Sequence, residues 1–296
     1  MSLWAITAYF NHAKSESRRL AYRAFRRNLC IPLVAVELSF DGRFDLQKDD
    51  ADILVQISGG AVVWQTQCLL NIALKHVPSG ANKIAWLDCD VIFADPGWPA
   101  KAEAALDRYT LIQPFSEALM LRRGEQLKIP NATYDKRIAI TKLRQAQDLN
   151  VIGENHGFAM LAWAARRDYL EHNKFYNAAI IGGSDMLSFA AINGQPNFAT
   201  WRFNLNPLFA HHYEQWAARF PKSSLGNFNS IDGEIWHLWH GELINRQRRS
   251  RWDIVRDFNP YVDIKLSDNG VWEFTDEGKR LEAAIKSFFI SRQEDG

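Results

Sequence analysis

Only three cysteines occur in the 296 residues, Cys30, Cys68 and Cys89, and no two of them form a Cys-x-x-Cys pair. That count excludes a disulfide framework or a cysteine zinc site. Each thiol has apolar sequence neighbours, so all three are expected buried, in a reducing compartment. Long apolar stretches are also missing. The longest run, Phe158 to Ala165, has eight residues, against the ~20 that a membrane-spanning helix needs. The opening Met-Ser-Leu-Trp-Ala-Ile-Thr has no basic lead-in, so no signal peptide is expected and a cytoplasmic location is. Neither charge sign dominates: 35 Lys and Arg stand against 34 acidic residues, a net charge of +1. No bulk field therefore draws nucleic acid or an anionic membrane, which leaves a local basic patch as the one route to either. Linkers rich in Pro, Gly or Ser, internal repeats and low-complexity tracts are absent too, which favours a single domain over residues 1–296.

Apolar side chains make up 47% of the chain and charged ones 23%, enough to bury a sizeable core. Short apolar runs alternate with amphipathic stretches. Strands are expected at Leu3–Tyr9, Leu33–Phe40, Ala51–Ile57, Lys83–Asp88 and Tyr109–Phe115, with helices at Ser15–Leu29, Val62–Leu74 and Trp98–Arg108 between them. This rhythm predicts an α/β fold with a Rossmann-like, mostly parallel central sheet flanked by helices. Residues 116–155 break the rhythm and read as an insertion over the sheet edge, helix-prone from Asp135 to Asp148. Beyond them, a strand at Gly157–Ala164, helices at Asp185–Asn193 and Asn206–Phe220, and a terminal helix from Thr275 give an α+β extension. Eleven tryptophans are many for this length. They serve either as extra core packing or as platforms for sugar rings or bases.

Three clusters carry chemistry. Leu87-Asp88-Cys89-Asp90 ends an apolar strand in two carboxylates one residue apart. On a strand both project to one face, at the edge where open α/β sheets bind ligands. Such a pair is costly unless a donor or a hard divalent ion, Mg²⁺ or Mn²⁺, lies between them; a solvated turn is the plain alternative. Gly182-Gly183-Ser184-Asp185 lets the backbone approach a ligand and opens a helix on an acidic residue, a candidate proton acceptor or simply a cap. Trp236-His237-Leu238-Trp239-His240 offers two imidazoles as metal ligands. Their spacing of three puts them on opposite faces of a strand, so one of the two is expected to reach a metal. Arg246, Arg248, Arg249 and Arg251 follow as a basic run, either a solvated face or a neutraliser of a leaving diphosphate.

In this order along the chain, these segments resemble nucleotide-sugar-dependent glycosyltransferases of the GT-A fold, and are similar to the galactosyl- and N-acetylgalactosaminyltransferases. The resemblance implies a nucleotide-sugar-binding half over 1–115, an insertion over 116–155, and an acceptor-side half with a C-terminal helix over 156–296. It implies donor contacts from Thr7, Tyr9, Asn11, Glu37, Trp64, Gln67, Asn71 and Asp88. A metal site of Asp90 with His237 or His240 follows, holding Mn²⁺ or Mg²⁺. Asp185 would serve as the base. Gly182, Gly183, Trp201, Trp236 and Trp239 fall on the acceptor side. The donor implied is a UDP-sugar, giving hexosyl or N-acetylhexosaminyl transfer with inversion to a hydroxyl of a glycan, protein, small molecule or nucleic acid. One departure stands out: Met186 follows Asp185 where the family pattern has a second acid. Two other readings remain: a haloacid-dehalogenase-like phosphatase with Asp88 as nucleophile, and a non-catalytic sugar-nucleotide-binding protein. Oligomeric state is not encoded in any segment.

Overall fold

The structure is a computed structural model of the chain, describing residues 2–125, 134–145, 157–222 and 225–296. Its centre is a seven-stranded sheet. In chain order the first four strands are β1 (Leu3–Phe10), β2 (Leu33–Ser39), β3 (Ile53–Ser58) and β4 (Lys83–Leu87), all mutually parallel in the spatial order β3-β2-β1-β4. Helices α1 (Glu16–Asn28) and α2 (Thr66–His76) provide two of the crossovers. Both faces are buried, and the two-residue alternation of the strands decides which side chain goes where. Ile6, Phe10, Val34 and Val36 join one core, while Leu3, Ala5, Leu33 and Ala35 join the other. Strand order reverses between β1 and β4, and the carboxyl ends at such a switch point are the place where open α/β sheets receive ligands.

The chain then leaves this sheet for a second one. A five-stranded sheet has the order β5-β12-β7-β8-β9, where β5 is Val91–Phe93, β7 Glu117–Met120, β8 Asp135–Ala139, β9 Gly157–Phe158 and β12 Glu234–His237. Helix α3 (Trp98–Leu106) and β6 (Leu111–Gln113) return the chain to the central sheet. There β10 (Ala162–Arg166) inserts antiparallel between β4 and β6, and β11 (Phe228–Ser230) adds at the edge. Helices α4 (Arg167–Asn173), α5 (Ser184–Ile192), α6 (Pro196–Arg202) and α7 (Pro207–Ala217) cover the far side. The hairpin β13 (Ile264–Leu266) with β14 (Trp272–Phe274) and helix α8 (Glu282–Ser291) complete the chain.

Two sequence expectations change. The described parts of 116–155 are not α-helical. They supply β7 and β8, and the expected helix over 135–148 is strand at Asp135–Ala139 and a short 3₁₀ turn at Lys142–Gln145, with the remainder outside the described residues. Pairing with β7 and β9 overrides local helix propensity here. Cys30, expected buried, is exposed, with its thiol 3.6 Å from the Pro96 carbonyl, whereas Cys68 and Cys89 are buried. None of the described helices is long and apolar enough to cross a membrane.

The junction of β1 and β4 rests partly on Thr7, which is wholly buried and donates its hydroxyl to the Leu87 carbonyl at 2.7 Å. Thr7→Val keeps the shape and orphans that carbonyl. The substitution is expected to cost about 1–2 kcal/mol, read as a lower denaturant midpoint with an unchanged slope. An unchanged midpoint would show that the bond carries no weight.

Candidate functional site

β4 ends at Leu87, and Asp88, Cys89 and Asp90 form the turn that carries the chain from the central sheet into β5. The carboxylates thus lie just past the strand, and the turn, not strand alternation, aims them. Cys89 packs into the core beneath. Burial first, then the charges of Asp90 and Asp185, holds the Asp88 carboxyl well above the usual carboxylate range.

The second sheet brings the histidines to this turn. β12 runs antiparallel to β5 with His237 opposite Val91, and the Leu238 amide donates to the Asp90 carbonyl at 2.8 Å. Because β12 stops at His237, the chain bends and returns the His240 ring to within 5.2 Å of the His237 ring, centroid to centroid. Strand geometry had allowed only one of them to reach a metal; the bend brings in both. His240 Nε2 is 2.9 Å from Asp90 Oδ2, and His237 Nε2 is 3.9 Å from Asp90 Oδ1. One ligand atom from each of the three residues lies within 4.8 Å of the others.

Protonation at this cluster fits a cation. Burial pushes the His237 imidazole down to about 3, so it is neutral at ordinary pH. Burial alone would raise Asp90, but its two imidazole neighbours more than offset this and hold it low. His240 Nε2 faces both Asp90 Oδ2 and Arg246 Nη2, each at 2.9 Å. One ring nitrogen cannot donate to a carboxylate and accept from a guanidinium at once. Asp90 Oδ1 is also buried without a hydrogen-bond partner, the kind of orphan that costs about 1–3 kcal/mol unless something fills the gap. Two imidazole nitrogens and one carboxylate oxygen suit Mn²⁺ better than Mg²⁺, which prefers oxygen alone.

Sequence reasoning missed the group behind His240. Glu294 Oε1 lies 3.6 Å from His240 Nδ1, 3.0 Å from Arg18 Nη1 and 2.8 Å from Arg292 Nη2. Glu294 is itself buried, yet Arg18, His240 and Arg292 hold its carboxyl well below the usual range against the upward push of burial. A carboxylate behind a ligating imidazole turns the ring and favours its Nδ1–H form, which leaves Nε2 free for a metal. Its neighbour Asp295 accepts from Ser15 Oγ and the Ser17 amide, both at 2.8 Å, and from the Glu16 amide at 3.1 Å, tying the chain end to the start of α1. In the sequence this tail is a polar Ser-Arg-Gln-Glu-Asp-Gly with no pattern to mark it.

Gly182 and Gly183 form the turn ahead of Asp185, at φ of +88° and +90°. A Cβ on Gly183 would sit 2.6 Å from Trp252, so both the dihedral and the contact require glycine. Hydrogen bonds from the Trp64 amide to the Ile180 carbonyl and from Trp272 Nε1 to the Asn177 carbonyl, each 2.7 Å, fix the approach to this turn. Asp185 follows in the first turn of α5, and burial raises its carboxyl to about 6. Asp185, Gly183, Trp64, Trp201 and Arg246 line a cleft of about 700 Å³. Arg246 also lines a second cavity of about 460 Å³, which touches His237 and Trp239.

The remaining expected contacts divide. Glu37 and Asn11 line a small cavity of about 100 Å³ at the ends of β1 and β2, where Glu37 Oε1 accepts from the Asp45 amide at 2.6 Å and burial raises its carboxyl. Tyr9 is buried and donates to Asp45 at 2.9 Å. Asn71 bonds the Phe175 backbone through both ends of its amide and Thr7 is spent on Leu87, so these two tie elements together, while Gln67 is buried in α2. Trp201 stands 71% exposed at the cleft lip, whereas Trp236 is packed among Ile92, Leu119 and Leu121 and presents no face for stacking. Trp239 lies under Arg123, away from the large cleft, with its Nε1 on Glu242.

No family model matches the chain, and no curated protein matches it. Among solved structures it is similar to TarS of S. aureus, at 12% identity and a TM-score of 0.39, covering 86% of this chain and 40% of that one. Similarity extends to glucosyl-3-phosphoglycerate synthase of Mycobacterium tuberculosis in complex with Mn²⁺, UDP and phosphoglyceric acid. There the identity is 12% and the TM-score 0.42, over 90% of this chain and 81% of that one. The chain thus spans well under half of the TarS chain. Likenesses this distant carry no weight for what this protein does.

Mn²⁺ is expected to raise the melting temperature of the protein, and Asp90→Asn is expected to abolish that rise; an equal rise in the variant would place the ion elsewhere. Glu294→Gln leaves all three ligands in place and is expected to weaken Mn²⁺ about 10–100-fold in a calorimetric titration. Unchanged affinity would reduce Glu294 to packing.

Proposed function

We propose that the chain, acting over residues 1–296 as one catalytic domain of GT-A type, transfers a sugar from a nucleotide diphosphate donor, a UDP-sugar, to an acceptor hydroxyl. One observation carries this reading: Asp90, His237 and His240 converge beside the switch point of a parallel sheet, and the Asp88 charge that adjoins Asp90 also feels Asp185. A metal cluster, a second carboxylate and a titratable acid with its own cleft are the parts such a transfer needs.

Asp90, His237 and His240 would hold Mn²⁺ or Mg²⁺, which supplies charge neutralisation for the departing diphosphate. Arg246, next to His240, adds a guanidinium on the same side. Asp88 orients the ribose end of the donor, and Glu37 and Asn11, in the small cavity at the β1–β2 end, receive the base. Trp64 and Gly183 line the cleft, and Trp201 offers an exposed face for a sugar ring.

Asp185 takes the proton from the acceptor hydroxyl. Its oxygen then forms a bond to the anomeric carbon, the bond from that carbon to the diphosphate breaks, and the electron pair leaves with the nucleoside diphosphate. Attack from the face opposite the leaving group gives inversion. A carboxyl raised to about 6 is a stronger base than a solvated aspartate and is still ionised at neutral pH. The identity of the sugar, hexosyl or N-acetylhexosaminyl, and cytoplasmic placement are carried forward from the sequence as part of this proposal.

A panel of UDP-sugars with Mn²⁺, read by nucleotide release, tests the reading. Turnover of at least one donor is expected, with a rate that climbs as pH rises through about 6, because Asp185 must be ionised to accept the proton. Asp185→Asn is expected to lower kcat by about 10²–10⁴-fold and to remove that rise. Donor binding with no turnover by the wild-type protein would instead favour a non-catalytic sugar-nucleotide-binding protein.

A further inference from the structure

The large cleft carries far more positive charge than one diphosphate needs. Eight arginines line it against two aspartates, although the chain as a whole is nearly neutral at +1. Several of the eight are already committed: Arg256 pairs with Asp253 at 2.8 Å, Arg137 with Asp135 at 2.8 Å, and Arg292 with Glu294 at 2.8 Å. Arg246 belongs to the metal side through His240. Arg202, Arg249 and Arg251 differ from these. Among the described residues they make no ion pair with a carboxylate, and they line the large cleft and not the second cavity.

Their surroundings make this arrangement expensive. Burial, and then the charge of Arg249, pushes the Arg202 guanidinium below its usual value. Burial with Arg292 and Arg248 pushes Arg251 down to about 10, and its Nε is buried without a hydrogen-bond partner. Arg251 packs on Gly182, 3.4 Å from where a Cβ would stand, so the glycine turn holds it beside Asp185. Among the described residues, Asp185 is the one carboxylate that acts on Arg251, too little for three neighbouring guanidiniums; like charges gathered in this way are destabilising, and an anion in the cleft relieves them.

We propose that the acceptor of the transfer reaction carries a phosphate beside its attacking hydroxyl, held by Arg202, Arg249 and Arg251 on the cleft wall that also bears Asp185. The word acceptor rests on the glycosyl-transfer reading above; the anion site rests on the arginines alone. A phosphate brings about −1.5 to −2 charges and three acceptor oxygens, a better match to three guanidiniums than a single carboxylate. A cleft of about 700 Å³ is of small-molecule size. A net charge of +1 gives no bulk field to draw a long nucleic acid.

Two measurements separate the anion site from the transfer reaction. Calorimetric titration with inorganic phosphate needs no donor: wild-type protein is expected to bind, and R202A/R249A to bind at least tenfold more weakly. Equal binding by both overturns the proposal. Nucleotide release from the active UDP-sugar is then compared for glycerol against glycerol 3-phosphate, glucose against glucose 6-phosphate, and a glycerol-phosphate polymer. A KM at least tenfold lower for phosphorylated acceptors is expected, with the preference collapsing in the double variant. Preference for the monoesters or for the polymer assigns the phosphate to a free ester or to a phosphodiester chain, and either supports the proposal. Equal use of neutral and phosphorylated acceptors by the wild-type protein overturns it. Phosphate binding at these arginines with no donor turnover would sink the transfer reading and leave the anion site standing. Should the alanine pair fail to fold, Arg202→Gln alone is expected to shift both readouts in the same direction, and no shift counts against the proposal.

Discussion

A charged Asp90 carboxylate sits only 14% exposed between two imidazoles, and most of the surrounding structure can be understood as the means of holding it there. The turn out of β4 delivers it, the β5–β12 pairing delivers His237, and the bend after β12 delivers His240. A buried carboxylate is costly unless its partners are good, and here the partners are incomplete: one oxygen is orphaned and one imidazole nitrogen is contested. A divalent cation resolves both faults at once, which is why the metal reading follows from electrostatics and not from the Asp-x-Asp spelling alone.

The supporting layer lies far away in sequence. Glu294 and Asp295, at the end of the chain, join the ring of His240 to Arg18 and to the first turn of α1. Residues near the start and end of the chain thus close around Asp90, His237 and His240, and the two sheets meet there. The central sheet supplies the switch point, and the smaller sheet supplies the imidazoles. Gly182 and Gly183 adopt dihedrals only glycine tolerates easily, so the backbone passes under Arg251 and Trp252 and leads straight to Asp185.

Elements governed by local pattern were legible in the sequence. The alternating strands β1 to β4, helix α1 with its Ser15 cap and the acidic pair after β4 lie close to where periodicity and turn chemistry put them. Elements governed by distant pairing were not. Asp135–Ala139 has a helical composition but is strand because β7 and β9 flank it. Both histidines reach Asp90 because β12 ends at His237, so strand alternation does not extend to His240. Thr7 and Asn71 are polar residues in the right segments, but their hydrogen bonds are used inside the fold, and Gln67 is buried in α2. Trp236 went to the core for the same kind of reason: an apolar face of the second sheet needed filling. Glu294 left no sequence signal, since its role depends entirely on a fold that brings residue 294 beside residue 240.

The most direct test is anomalous diffraction from crystals grown with Mn²⁺. The expected result is one strong peak within bonding distance of an Asp90 oxygen and of Nε2 of both His237 and His240, with Arg246 drawn off the His240 nitrogen. A peak elsewhere, or none at these residues while Arg246 stays bonded to His240, would contradict the account.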